Sequence, residues 1–244
     1  MKSASEIIFE NETIVAINKP SGILSVPDRY NQDRFSISNW ILSIHPAARP
    51  LHRIDFETSG VLLFSKTPES FGCYSDQFEN RTVAKFYHAI TEGRIREDEG
   101  LVDQPLFTQT NGKVIISKRG KDSRTKWRVL ERYLHHSFVE ANPLTGRTHQ
   151  IRVHLSSIGH PLLSDELYGA SGPLFLSSLK GRKKYHLGKD EESEKPLFHR
   201  IALHASRIEI IDYFSKETLG IEAPLPKDMA VAIQKLRQYS SINK

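Results

Sequence analysis

Four consecutive apolar residues, Val61-Leu62-Leu63-Phe64, follow without interruption on the polar segment Leu51-His52-Arg53-Ile54-Asp55-Phe56-Glu57-Thr58-Ser59-Gly60. A run this short and this apolar, bounded by Gly60 and Ser65, reads as a strand buried on both faces, which commits the chain to a fold built around a covered sheet. The segment before it sets a single carboxylate, Asp55, near His52 and Arg53 at the edge of that strand. Asp55 there either caps a turn or is an anion kept ionised by basic neighbours and offered to a substrate.

The rest of the chain supplies cover for such a sheet. Glu6 to Phe9 and Thr13 to Ile17 flank Glu10-Asn11-Glu12 as a hairpin, and Lys19-Pro20-Ser21-Gly22 is a turn before a strand at Ile23 to Val26. Phe35, Ile37, Trp40, Ile41 and Ile44 recur at helical spacing and stop at Pro46. Thr67-Pro68-Glu69 reads as N-cap, first-turn proline and acidic first turn of a helix that buries Phe71, Tyr74 and Phe78. A strand over Val83 to Ile90 carries Tyr87. Residues 101 to 141 alternate instead, as at Thr125, Trp127 and Val129, and predict successive antiparallel strands. A helix from Thr148 buries Ile151, Leu155 and Ile158 and stops at Gly159, with Pro161 beyond. Strands are expected at Ala202–Leu203, Arg207–Ile211 and Thr218–Ile221, and a last helix buries Met229, Ala232, Ile233 and Leu236. The reading is α+β: a large mixed, mainly antiparallel sheet with flanking helices and loops, one domain over residues 1–244. The stretch Leu179 to Lys195, a basic run followed by an acidic one, marks 170–197 as a surface insertion or mobile loop.

Composition narrows the function. With 38% hydrophobic and 26% charged residues the chain is an ordinary globular sequence, and its apolar runs of only a few residues cannot span a bilayer as helices. The opening MKSASEIIFENE turns acidic too soon for a secretory leader. The single cysteine, Cys73, excludes an intrachain disulfide and any multi-cysteine metal site, so a reducing cytoplasm is expected. His149, His154 and His160 lack the i, i+4 spacing of a helical zinc pair, and neither a Gly-x-Ser-x-Gly elbow nor a phosphate-binding P-loop is present. No cofactor and no metal are expected. The net charge of +5 is unevenly spread: Lys113, Lys118, Arg119, Lys121, Arg124, Lys126, Arg128 and Arg132 face only Asp122 and Glu131 in the same stretch. Such an excess suits a surface that tracks phosphates, and equally a solvated hairpin with charged edges.

Two further segments decide between these readings. Gly146-Arg147-Thr148-His149-Gln150-Ile151-Arg152-Val153-His154-Leu155 opens a helix with basic and hydrogen-bonding groups in its first two turns, and Lys85-Phe86-Tyr87-His88-Ala89 lies on a strand. With the Asp55 segment they resemble, in order and separation, the RluA-type family of RNA pseudouridine synthases. Ala16-Ile17-Asn18-Lys19-Pro20-Ser21-Gly22 is similar to the family's opening motif, and no chemistry is assigned to Lys19. Ile158 to Leu162, Asp165, Leu167, Tyr168, Gly169 and Ala202-Leu203-His204-Ala205 fit the family pattern and read as scaffold. The resemblance covers roughly Ile14 to Leu225.

It implies an isomerase that breaks the glycosidic bond of a uridine in structured ribosomal or transfer RNA, turns the uracil and rejoins its C5 to ribose C1′. Asp55 would attack C1′ or otherwise initiate cleavage, Arg152 would pair with Asp55, and Tyr87 would stack on the uracil and move a proton. Arg53 would enter the space left by the flipped nucleotide. His52, Arg147, His149, Gln150 and Ile151, with Lys118, Arg119 and Lys121, would complete the RNA contacts. The partner would be RNA, with no membrane and no small-molecule cofactor, and the enzyme a monomer. Ile54 replaces a more usual leucine, and Phe56 stands where a polar residue is common, so an RNA contact there is lost or becomes stacking. A protein of another class, an RNA-binding or ribosome-assembly factor without catalysis, is the rival reading, against which Asp55, Tyr87 and Arg152 stand together.

Overall fold

The computed structural model describes residues 6–28, 31–180, 185 and 193–242. In chain order the elements are β1 (Glu6–Glu10), β2 (Ile14–Lys19), α1 (Ile37–Ile44), β3 (Arg49–Pro50), β4 (Ser59–Ser65), α2 (Pro68–Glu79), β5 (Ala84–Glu92), β6 (Glu99–Asp103), β7 (Leu106–Thr108), β8 (Val114–Ile116), β9 (Arg124–Arg132), β10 (His136–Pro143), α3 (Gln150–Ser157), α4 (Leu176–Lys180), β11 (Leu203–Ile211), β12 (Thr218–Glu222) and α5 (Lys227–Tyr239). They form two compact units, Met1–Tyr87 with His204–Pro224, and His88–Leu203 with Leu225–Lys244.

In the first unit the strand order is β1-β2-β4-β11-β5, with β3 on β4 and β12 on β11. All seven residues of β4 are buried, as its apolar run requires. Alternation then sorts the side chains. Ile14, Ala16, Val61 and Leu63 face Tyr74 of α2, while Val15, Ile17, Leu62 and Phe64 face Ile37 and Ile41 of α1. Each of these large apolar side chains gains about 1.5–3 kcal/mol from leaving water. β4 pairs antiparallel with β2 and parallel with β11. The parallel approach depends on Gly60, whose φ is +114° and whose missing Cβ would lie 2.1 Å from the Ala205 carbonyl oxygen. The Thr67 cap of α2 forms as expected, with Ser70 returning the bond to the cap backbone and Pro68 leading the helix.

The second unit runs β5-β10-β9-β6, antiparallel at β10–β9 and β9–β6, with a separate β7–β8 hairpin. Met229, Ala232, Ile233 and Leu236 of α5 pack with Ile90, Phe138 and Leu163. The mixed, mainly antiparallel sheet with few helices is the architecture read from the sequence.

Several local expectations change. No strand forms at Ile23–Val26, because the carbonyls of Leu24 and Ser25 accept the first amides of α1, from Ile37 and Ser38. Leu24 keeps only an isolated bridge to Ser36. Ser36 caps α1, its side chain accepting from the Asn39 amide, so Phe35 lies ahead of the helix and is 43% exposed. The two short strands expected at 202–203 and 207–211 are one strand, β11. Helix α3 starts at Gln150, after His149 in a left-handed conformation (φ +53°), and Ile158 caps its end half-buried. Of the expected insertion at 170–197, α4 is described, whereas 181–184 and 186–192, with most of the 180–189 basic run, lie outside the described residues.

Candidate active site

In the first unit Asp55 sits half-buried on the loop that leads into β4. That loop is fastened at nearly every residue. The Ser25 hydroxyl donates to the Ile54 carbonyl (2.7 Å) and accepts from the Ile54 amide (3.2 Å). The Asp55 carbonyl accepts from the Thr58 amide (3.1 Å), and the Phe56 carbonyl from the Gly22 amide (2.8 Å). Ser21 Oγ donates to the Glu57 carbonyl (2.6 Å). Lys19 is fully buried, and its ammonium donates to the carbonyls of Pro20 (2.9 Å), Ile23 (2.7 Å) and Phe56 (3.2 Å). A buried cation so satisfied fixes the turn beneath Asp55 in one shape.

Tyr87, on the half-buried part of β5, has its phenol pushed above the ordinary tyrosine range by burial, with the Asp55 carboxylate adding to the effect. Asp55 and Tyr87 are therefore electrostatic neighbours, and Tyr87 is a neutral phenol at physiological pH. Arg53 is exposed. His52 departs from its expected role. Its Nε2 accepts from the Leu63 amide (3.2 Å), its ring stacks on Phe78 with centroids 5.2 Å apart, and burial, with Lys85 adding, holds its pKa down to about 3. A neutral ring pinned to β4 braces the Asp55 loop.

The second unit carries the other expected residues. Arg152 is buried, with Nε and Nη2 bonded to the two carboxylate oxygens of Asp165 at 2.7 and 2.8 Å and its guanidinium 4.9 Å from the Tyr168 ring centroid. Asp165, which the sequence reading left as scaffold, is thus a carboxylate partner of Arg152. Gln150 and Ile151 lie at the start of α3 and are buried. Gln150 is 4% exposed and spends its amide on the Thr145 hydroxyl, the Arg147 amide, the Arg124 carbonyl and the Thr125 hydroxyl. Ile151 is 5% exposed. All of Gln150 to Leu155 is buried rather than one stripe of it. His149 Nδ1 lies 2.8 Å from the Tyr168 hydroxyl, which accepts the Val114 amide at 3.1 Å and so ties the β7–β8 hairpin to α3. Arg147 is half-buried and reaches the Asp122 carbonyl from Nε at 3.3 Å.

Lys118, Arg119 and Lys121 are exposed in the turn after β8. Farther along the same basic stretch the charge is partly spent. Arg128 pairs with Glu140, and Arg132 binds Asp98 and the carbonyls of Ile95, Arg96 and Glu97. Lys19, Asp165 and Tyr168 are what sequence reasoning undervalued. The signal for Asp165 was a lone aspartate between apolar Leu162-Leu163 and Tyr168, a place where burial demands a cation.

A family model described as RNA pseudouridylate synthase matches residues 13–157. The chain is 33% identical over 250 residues to ribosomal large subunit pseudouridine synthase D of Nitrosomonas europaea, spanning 98% of this chain and 68% of that protein. It is 36% identical over 182 residues to the dual-specificity RNA pseudouridine synthase RluA of Vibrio vulnificus, spanning 71% of this chain and 72% of that protein. Among solved structures, human RNA pseudouridylate synthase domain containing 4 superposes with a TM-score of 0.72 at 26% identity, over 95% of this chain and 92% of that one.

Proposed function

This chain belongs to the RNA pseudouridylate synthase family, and on that premise we propose that Asp55 starts the isomerisation of uridine and that Tyr87 serves the same uracil. The observation that carries the proposal is the pairing of a fastened, half-buried carboxylate with a phenol that burial and the same carboxylate keep protonated. Net isomerisation breaks N1–C1′, forms C5–C1′, removes the C5 proton and leaves one on N1. Nothing is oxidised and no group leaves, so side chains alone suffice. Asp55 initiates the cleavage and is released when C5 rejoins C1′. A neutral phenol relays: it hands its proton to the Asp55 carboxylate, free again once C5 has rejoined C1′, as it takes the C5 proton. N1 and the carboxylate then exchange protons with solvent water so that one stays on N1. The phenol ring offers a face on which the uracil stacks.

The target lies in structured RNA and is flipped out of its stack, because C1′ and C5 are unreachable in a helix. Arg53, exposed beside the loop, fills the gap left behind, and Lys118, Arg119 and Lys121 contribute phosphate contacts. The name of the Nitrosomonas relative supports ribosomal RNA of the large subunit as the first substrate to test, and transfer RNA, which the sequence resemblance also implies, is the second. The enzyme acts in the cytoplasm, a reading supported by its single cysteine, and works as a monomer without a cofactor. Release of tritium from C5-labelled uridine in ribosomal RNA tests the proposal. Release is expected, and tight RNA binding without it would favour a non-catalytic RNA-binding factor. Mapping pseudouridines in cellular RNA with and without the gene then identifies the uridine.

A further inference from the structure

Phe56 is 40% exposed although it immediately follows the half-buried Asp55. Its backbone is held twice, by the Gly22 amide at 2.8 Å and by the buried Lys19 ammonium at 3.2 Å, so the ring is presented from a fixed base. The guanidinium of Arg34 lies over that ring, 4.8 Å from its centroid. Arg34 and Arg53 are themselves exposed, and Phe35 is 43% exposed. Two solvent-facing aromatics and two exposed arginines thus lie in the segments around a half-buried carboxylate. They have the chemistry of a surface for unpaired nucleotides, aromatic faces for bases and guanidinium groups for the phosphates between them.

We propose that Phe56 and Arg34 form a stacking subsite for an unstacked base next to the target uridine. The base lies on the Phe56 ring, and Arg34 steadies the ring by its cation–π contact while adding positive charge along the strand. Because every base has a π-face, the subsite reads whether a neighbouring base is present and unpaired rather than which base it is. It thereby selects uridines in loops over uridines in helices. The proposal rests on the reading that RNA is brought to Asp55.

Its test uses the full chain and a short RNA stem-loop with one uridine in the loop, together with copies bearing a single abasic site at each position flanking that uridine. Affinity is measured for wild type, Phe56→Ala, Phe56→Leu and Phe56→Tyr. Wild type is expected to lose roughly 5- to 100-fold in Kd when one flanking base is missing. Phe56→Ala and Phe56→Leu should lose as much on intact RNA and nothing further on that abasic RNA, while Phe56→Tyr behaves as wild type. Leucine keeps the apolar bulk and loses the π-face, so rescue by leucine would overturn the proposal. So would wild-type affinity in Phe56→Ala, or an equal loss on intact and on every abasic RNA. If Phe56→Ala does not fold, the leucine and tyrosine variants decide alone. Coupling is read from binding, so it is independent of whether Asp55→Asn turns over.

Discussion

Replacing Lys19 by methionine tests whether the buried ammonium sets the shape of the catalytic loop. Methionine matches the length of the lysine stem and removes only the donors. The Phe56 carbonyl would keep its bond from the Gly22 amide, whereas those of Pro20 and Ile23 would lose the ammonium that now reaches them at 2.9 and 2.7 Å. A buried carbonyl left without a donor costs about 1–3 kcal/mol. Pro20 and Ile23 are half-buried, so water recovers part of that at each, and relief from burying a cation offsets more, leaving a net loss of about 1–3 kcal/mol. Urea unfolding at pH 7, read by fluorescence of Trp40 and Trp127, gives the stability. Single-turnover tritium release gives the chemistry. The expected outcome is a lower midpoint at unchanged m-value and a fall in turnover, because Phe56, whose carbonyl the ammonium holds, follows Asp55 directly. Stability within about 0.5 kcal/mol of wild type, the range of neutral surface changes, together with unaltered turnover, would refute the reasoning.

The Arg152–Asp165 pair should behave as a unit: removing either partner strips a buried charge of its bidentate counter-ion, at up to about 3–5 kcal/mol, and a double-mutant cycle of Arg152→Met and Asp165→Leu should show strong coupling in urea unfolding. Simple additivity would mean the pair is dispensable. His52 has a folded pKa of about 3 against an ordinary 6.5, so between these values the unfolded chain binds the extra proton and stability falls as pH falls, by up to about 1.4 kcal/mol per unit. Urea midpoints from pH 7 to 4.5 should therefore decline less steeply in His52→Gln than in wild type, and parallel curves would contradict the assignment. Replacing Lys118, Arg119 and Lys121 by alanine should flatten the salt dependence of RNA binding by roughly one unit of log–log slope per lost contact. An unchanged slope would show that this turn faces away from RNA.

What could be read from the sequence followed from period and punctuation. β4 was visible because an apolar run beside glycine has few other fates, and α2 because Thr67-Pro68 is a start signal that needs no tertiary partner. The helix at 150 was found but its faces were not, since α3 is buried on all sides and its polar residues Gln150, Arg152 and His154 serve internal bonds. Hydrogen-bond destinations of this kind are long-range: His154 meets Thr125 and the Gln104 carbonyl at 2.8 and 3.0 Å, and no local pattern encodes either. The same holds for Lys19. A lysine in a Pro-Ser-Gly turn ordinarily reads as solvated, and only the fold shows three carbonyls converging on it. His52 was drawn to RNA by its place beside Arg53, yet its ring belongs to Leu63 and Phe78.

The most direct measurement of the central claim is single-turnover tritium release from C5-labelled uridine in RNA by Asp55→Asn, alongside its RNA affinity. The substitution removes the charge and little volume, and affinity comes largely from phosphate contacts elsewhere. The expected result is binding within several-fold of wild type, an unchanged unfolding midpoint and no tritium release. Measurable turnover by the pure variant would contradict the assignment of Asp55 as the group that starts the reaction.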